Sequence, residues 1–390
     1  MTRSISSLHC LPSYDNRLGG SVHAGLNVCK YLAQAGQPVQ AVAPYAEGDD
    51  VAYLSRNYGE VSCQRVARTF PKRFSNAAAL PGWLRANLDR FDVVEIHGIW
   101  LLASWQAARC CIERGKPYFI RSHGSLDPFD LQKHALAKHV IGPVYVRWLL
   151  NHAAGVICTA DLESERLKTF GARVECWTMP LPVPLAEVAG DRMRFRSKHG
   201  IPTDATVVLF LSRVDYKKGL EFLIPAIGAL KQRHPKLWFV LAGTGTPEFT
   251  ARIDGLIVAH QIKAFTSVVG FVSGQDKLDA FAAADTFALP SLNENFGLVI
   301  VEAMHAALPL LISDEVYIHP EIERAGAGVV CRPTLESVAE KLSIMLSGAI
   351  NLNKMGCIGR NLVHSHYRPE VATTALLKLY TDTLEKAVDR

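Results

Sequence analysis

The chain has 390 residues, 49% hydrophobic and 20% charged, the profile of an ordinary globular protein rather than a disordered one and long enough to expect two domains. No apolar run approaches the ~20 residues a membrane span needs, and nine cysteines without a C-x-x-C pair point to reduced thiols and away from a structural zinc site. The net charge of +5 sits in the first half: residues 1–180 carry 20 basic against 15 acidic side chains, the remainder 22 of each.

The opening, MTRSISSLHCLPSYD, lacks the basic end and apolar block of a secretory signal, so a cytoplasmic protein is expected. After the first strand region comes NRLGGSVHAGLNVCKYLAQAG, where Gly19 and Gly20 open a helix with apolar Val22, Leu26, Val28 and Leu32. A glycine pair lets backbone amides approach an anion, or simply turns the chain. Between 56 and 90, Arg56, Arg65, Arg68, Lys72, Arg73, Arg85 and Arg90 face only Glu60 and Asp89. This is either a solvated surface or a contact for an anionic partner such as a membrane surface or a phosphorylated acceptor. Nucleic acid is not expected, because aromatic residues do not interleave with the basic ones as a stacking platform requires.

FDVVEIHG (91–98), PYFIRSHG (117–124) and AAGVICTA (153–160) are short apolar runs separated by helical stretches, the mark of buried parallel strands with crossover helices. Pro180, Pro182 and Pro184 then stiffen a connector at 175–185. The second half repeats the scheme at 206–214, 237–243, 265–272, 286–291 and 308–313. The expected architecture is α/β, two doubly wound Rossmann-like domains facing a cleft, at 1–180 and 181–366. A final amphipathic helix within 367–390 is expected to pack back on the first domain.

Ligands bind at the carboxyl ends of strands in open α/β sheets, so the loops that follow the strands carry the chemistry. Arg213 leaves a strand end, and Lys217, Lys218 and Gly219 precede the next helix. Such cations suit a diphosphate and are unfavourable as plain helix-start residues. Gly243 and Gly245 form a G-x-G without the third glycine of a dinucleotide fingerprint. In ALPSLNENFGLVIVEAM, Glu294 lies at the mouth of a helix beginning about Gly297 and Glu302 lies inside it. A helix N-terminus holds phosphate, and the two acids can hold hydroxyls at either end of one extended ligand. The plainer alternatives are a capping Glu294 and a structural Glu302, which on an apolar face needs a partner. A nucleoside diphosphate sugar has the matching layout.

SRVDYKKG, LAGTG, VGFVSGQDKLDAFAAADTFALPSLNENFGLVIVEAM and PEIERAGAGVV together resemble the retaining glycosyltransferases of family 4, bacterial type, with the GT-B fold and an E-x7-E motif, here Glu294 and Glu302. GGSVHAGLNVCKYLAQAG, VEIHGIW and RSHGSLDPFDLQ extend the similarity, more loosely, into the first half. The resemblance implies that Glu294 bonds donor-sugar hydroxyls, that amides of Asn295, Phe296, Gly297 and Leu298 meet sugar and phosphate, and that Glu302 bonds the ribose. Arg213 and Lys218 would neutralise the leaving diphosphate, Gly19 and Gly20 would contact phosphates, and His123 would stand near the sugar. His97, in EIHG, reads as a core or supporting histidine. The connector MPLPVPL and the turn Ala306-Ala307-Leu308-Pro309 depart from the common pattern without removing a catalytic group.

The activity implied is transfer of a sugar, with retention, from a nucleotide diphosphate sugar to a hydroxyl of a glycan or lipid-linked saccharide. The reaction would need no metal and no other cofactor, since no D-x-D pair stands in a suitable setting. A cytoplasmic enzyme with peripheral contact at the inner membrane face fits the basic first half. The competing readings are a sugar-nucleotide epimerase or hydrolase of the same fold, and a non-catalytic nucleotide-sugar-binding protein.

Overall fold

The computed structural model describes residues 4–15, 17, 19–127, 131 and 135–388, except for the side chains of 73, 135–141, 143, 387 and 388. Two compact units result, one of Met1–Pro184 with Arg368–Arg390 and one of Leu185–Tyr367.

In the first unit, β1 (Ser7–Cys10), β2 (Val39–Tyr45), β3 (Ser62–Ala67), β4 (Val93–His97), β5 (Tyr118–Arg121), β6 (Gly155–Cys158) and β7 (Cys176–Thr178) lie in the order β3-β2-β1-β4-β5-β6-β7. In the second, β8 (Thr206–Leu211), β9 (Leu237–Ala242), β10 (Thr266–Gly270), β11 (Thr286–Leu289), β12 (Leu310–Ser313) and β13 (Gly328–Cys331) lie in the order β10-β9-β8-β11-β12-β13. Every pairing is parallel. These are the two doubly wound sheets that the apolar runs predict. The central strands β4, β5, β6, β11 and β12 are buried along their whole length, because crossover helices cover both faces of such a sheet.

Periodicity did not single out β2, although its middle is buried, nor the edge strands β3, β7 and β13, whose chemistry is mixed. β3 is an exposed edge strand inside the basic segment, and β13 is an edge strand of small and half-buried residues. β7 occupies the start of the proline-rich connector and is also an edge, which proline tolerates. Tertiary packing also gives part of the basic segment acidic partners from elsewhere in the chain: Arg68 pairs with Asp49 at 3.4 Å and Arg85 with Glu113 at 2.9 Å.

The two faces of the first sheet differ. One is apolar, built on Leu8, Val94, Ile96, Ile120 and Val156. The other carries Ser7, His9, Glu95, His97 and Arg121, all buried, because His9 stands in register with Glu95 and His97 with Arg121. The last helix, Pro369–Val388, covers this polar face. Its Tyr380 donates to Glu95 Oε2 at 2.7 Å and stacks near Phe119, ring centroids 5.4 Å apart. Arg121 Nε donates to Glu95 Oε1 at 2.6 Å. Burial pushes the Glu95 carboxyl up, but Arg121 and the two imidazoles outweigh it and hold the group well below the ordinary carboxylate range. Burial also lowers His9 to about 4 and His97 well below its usual value.

The two histidines stay neutral in the fold and protonate near pH 6.5 once unfolded, so stability is full above that pH and falls as pH drops toward 4. Glu95, depressed in the fold, adds loss of the same sign at still lower pH. Two such groups give a slope of about 3 kcal/mol per pH unit below pH 6. Urea unfolding of the first unit's signal from pH 7 to 5 measures it; a pH-independent midpoint would contradict the buried neutral pair.

Candidate active site

The strand order reverses between β8 and β11 in the second unit, and the loops leaving those two strands therefore share one end of the sheet. After β8, Arg213 is exposed and makes no hydrogen bond or ion pair among the described residues. Asp215 then caps a short 3-10 turn by accepting from Lys217 N at 3.0 Å. The turn buries Lys218 and ends at Gly219, where the helix Leu220–Leu230 starts. Gly219 has φ 73°, and a Cβ there would lie 1.9 Å from the Pro290 carbonyl oxygen. Glycine is what lets this loop touch the one that follows β11, and Leu292 N donates across the contact to Lys217 O at 2.7 Å.

The loop after β11 places Glu294 against Lys218, carboxylate to ammonium. Glu294 is pinned through its backbone, donating to Glu315 O at 3.0 Å and accepting from Tyr317 N at 2.9 Å. Gly297, at φ 73°, turns the chain into the helix Leu298–His305, whose N-terminus has no side-chain cap and no acid in its first turn. Its leading amides therefore present the positive end of the helix with no protein carboxylate bonded to them. Asn295 Oδ1 is buried without a hydrogen-bond partner. Phe296 is buried edge-on against Tyr367, at 5.7 Å and 70°, so only its backbone is available to a ligand. Glu302 has a partner in Lys277 Nζ at 2.6 Å, from the helix Gly274–Ala283.

Gly243 and Gly245 have a packing reason of their own. A Cβ on Gly243 would meet Ser212 O at 1.8 Å, and one on Gly245 would meet Val214 O at 2.0 Å. They allow the loops after β8 and β9 to run side by side, joined by the bridge Val214–Gly245, and so fix the backbone on either side of Arg213.

In the first unit the reversal falls between β1 and β4. Gly19, at φ 78° and ψ −141°, a conformation essentially restricted to glycine, starts the helix Gly20–Gln34, which again has no side-chain cap. A Cβ on Gly20 would meet nothing within 4 Å. His123 follows β5 with φ 51°. Its loop is held by Glu163, which accepts from Gly124 N at 2.7 Å, Ser122 Oγ at 2.5 Å, Thr159 N at 2.8 Å and Thr159 Oγ1 at 3.0 Å. His123 Nε2 lies 3.0 Å from His97 Nδ1, the rings stacked at 5.3 Å and 21°. His97 Nε2 in turn lies 3.2 Å from Glu95 Oε1 and 3.2 Å from His9 Nδ1.

Lys218 and Glu294 are thus in direct contact, the glycines bring Arg213 and Gly297 into the same pair of loops, and Glu302 stands on the same helix with its own cation. Gly19, Gly20 and His123 belong to the other unit. The motifs did not reveal Lys277, Glu163, His9, Arg121 or Tyr380. The available signal was polar residues at alternate positions in otherwise apolar strands, Ser7 and His9, then Glu95 and His97. Among the described residues, ligand atoms of His9, Glu95 and His97 lie within 4.8 Å of one another, a spacing a cation can use. Glu95, however, already binds the Arg121 guanidinium, whose charge opposes a second cation.

Two family models match this chain, "Glycosyl transferases group 1" over residues 191–362 and "Glycosyltransferase Family 4" over residues 18–187. An uncharacterized glycosyltransferase of Methanocaldococcus jannaschii is 32% identical over 123 residues, which is 32% of this chain and 31% of that protein's length. Among solved structures, sucrose-phosphate synthase of Thermosynechococcus elongatus superposes with a TM-score of 0.80 at 18% identity, covering 98% of this chain and 100% of that one. Anabaena HepE, in complex with UDP and glucose, gives 0.80 at 16% identity, covering 97% and 99%. At such identities these two show a shared fold. With each unit matched by its own model, the chain belongs to family 4 of the glycosyltransferases, of GT-B type.

Proposed function

We propose that the enzyme takes its sugar from a nucleoside diphosphate donor and transfers it with retention, without a metal ion. The observation that carries this is the Lys218–Glu294 contact at the strand-order reversal of the second unit, with Arg213 in the same loop as Lys218 and an uncapped helix start at Gly297. Departure of the diphosphate is the difficult event. The Arg213 guanidinium, an ammonium held by Glu294 and helix amides stabilise that charge as it develops. Lys218 has three protons to give, so it can hold Glu294 with one and phosphate oxygens with the others. Glu294, positioned by that contact, accepts from sugar hydroxyls; Asn295 and the amides of Phe296, Gly297 and Leu298 complete the donor's surroundings, and Glu302 accepts from the ribose.

Retention by same-face attack, with the leaving phosphate oxygen taking the acceptor's proton, needs no protein nucleophile. Glu294 is accordingly assigned a binding role, because a two-step route places a carboxylate on the opposite face of the sugar. In the first unit, Gly19 and Gly20 are proposed to contact phosphate and His123 the sugar. HepE has been solved with UDP and with UDP-glucose, which supports a uridine nucleotide as the first donor to try.

For the acceptor we propose a saccharide, lipid-linked and met at a cytoplasmic membrane surface. All nine cysteines are free thiols, as a reducing compartment keeps them. No helix among the described residues is long and apolar enough to cross a membrane. Phe70 is 89% and Phe74 47% exposed, next to exposed Lys72 and Arg65. Aromatic rings beside cations suit the interface of an anionic bilayer. The side chain of Arg73 lies outside the described residues.

Three measurements test these readings. UDP and UDP-glucose should raise the melting temperature, and Arg213→Ala and Lys218→Ala should each lower kcat by about 10²–10³ while the circular dichroism spectrum is kept. Glu294→Ala should abolish transfer, and near-normal turnover in any of the three removes that residue from the mechanism. Wild-type protein should co-sediment with phosphatidylglycerol-containing vesicles at low salt, and Phe70→Asp with Phe74→Asp should release it; equal sedimentation of the two proteins would rule out this surface.

A further inference from the structure

The polar face of the first sheet has an order that the proposed chemistry does not use. Ser7, His9, His97 and His123 form a chain of side chains, Ser7 Oγ to His9 Nε2 at 3.2 Å, His9 Nδ1 to His97 Nε2 at 3.2 Å, and His97 Nδ1 to His123 Nε2 at 3.0 Å. One carboxylate, Glu95, touches its middle.

We infer that Glu95 and His97 are positioning residues that fix His123 as the Nε2–H tautomer and present its Nδ1 lone pair as a hydrogen-bond acceptor. Glu95 sets the placement of protons along the chain. Arg121 Nε donates to its Oε1 and the Tyr380 hydroxyl to its Oε2, so this carboxylate is ionised and acts only as an acceptor. His97 Nε2 lies 3.2 Å from Oε1 and hydrogen-bonds with His9 Nδ1 at 3.2 Å; the nearby anionic charge favours the proton on this nitrogen, which then donates to His9. His97 is fully buried and its basicity is lowered by that burial, so the ring is neutral and its Nδ1 accepts. The atom facing Nδ1 is His123 Nε2, which must therefore be the donor. A neutral His123 is left with a lone pair on Nδ1, and that atom has no hydrogen-bond partner among the described residues. His9 Nδ1 is the acceptor of the His97 proton, which places the proton of His9 on Nε2, toward Ser7.

The ring's direction is fixed independently. The positive φ of His123 is maintained by the bonds of Glu163 to Ser122 and Gly124 on either side. Gly25 brings the helix Gly20–Gln34 against His97; a Cβ there would lie 3.1 Å from His97 Nδ1. An acceptor at His123 Nδ1 selects a ligand with a hydroxyl to donate. On the reading of His123 given above, that ligand is the donor sugar.

The test separates the inference from that reading. Histidine-ring ¹⁵N NMR of the full chain without substrate should show His123 as a single Nε2–H tautomer. His97→Gln keeps one donor for His9 and one acceptor for His123, so it should preserve that tautomer. His97→Leu offers neither and should leave His123 exchanging between both forms, with kcat lower by about tenfold or more and donor KM within about twofold. An Nδ1–H tautomer in the wild type, an unchanged tautomer in His97→Leu, or stoichiometric zinc in the purified protein bound by the ring nitrogens would each overturn the inference. Because His97→Leu can fail to fold, the wild-type spectrum and His97→Gln are decisive alone. The contact of His123 with the sugar is judged separately, by the loss of turnover expected in His123→Ala.

Discussion

Both units depend on one constraint: a parallel sheet whose strand order reverses in its middle. At that reversal the crossover helices leave in opposite directions, and the two loops flanking the break have nothing packed between them. In the second unit the break lies between β8 and β11, so segments far apart in sequence, Ser212–Gly219 and Pro290–Gly297, become neighbours. The ammonium of Lys218 and the carboxylate of Glu294 meet because of it. Glycines 219, 243 and 245 are where backbone comes too close to backbone for any Cβ, and Gly297 supplies a left-handed turn. They shape the site whether or not they touch a ligand.

The two units handle charge in opposite ways. In the second, cations and acids are paired singly, the buried Lys218 with Glu294 and the half-buried Lys277 with Glu302. Such pairs can be re-partitioned when phosphate or hydroxyl groups arrive. In the first, Glu95 and Arg121 are buried, and the carboxylate takes a further bond from Tyr380 and lies 3.2 Å from His97 Nε2. Breaking a buried pair by removing one partner leaves an uncompensated charge, so that cluster is rigid. A fixed network suits the orientation of a neighbouring ring, and single pairs suit binding and release.

The return of the last helix ties these themes together within the first unit. Its Tyr380 hydroxyl completes the shell of Glu95 from a position 285 residues further along the chain. The polar face of the sheet is thus sealed by a segment distant in the chain. Its hydrogen bonds are finished only when that helix is in place.

By itself the sequence determined the class of fold and put the candidate residues of the second unit at the ends of its strands. Short apolar runs alternating with helical stretches require buried parallel strands, whatever their order. SRVDYKKG and NENFGLVIVE carry their functional groups within a few residues of one strand end, so local spacing shows them. Three things needed the tertiary structure: the strand order, the strand β2 together with the edge strands β3, β7 and β13, and the partners of the charged groups. Edge strands mix polar, small and apolar residues, so periodicity does not mark them. Lys277, Asp49 and Tyr380 acquire their roles only through contacts with residues distant in the chain. The buried chain from Ser7 to His123 is the clearest case. Each member reads as one polar residue in an apolar strand or loop, and only the register of β1, β4 and β5 brings them within hydrogen-bond reach.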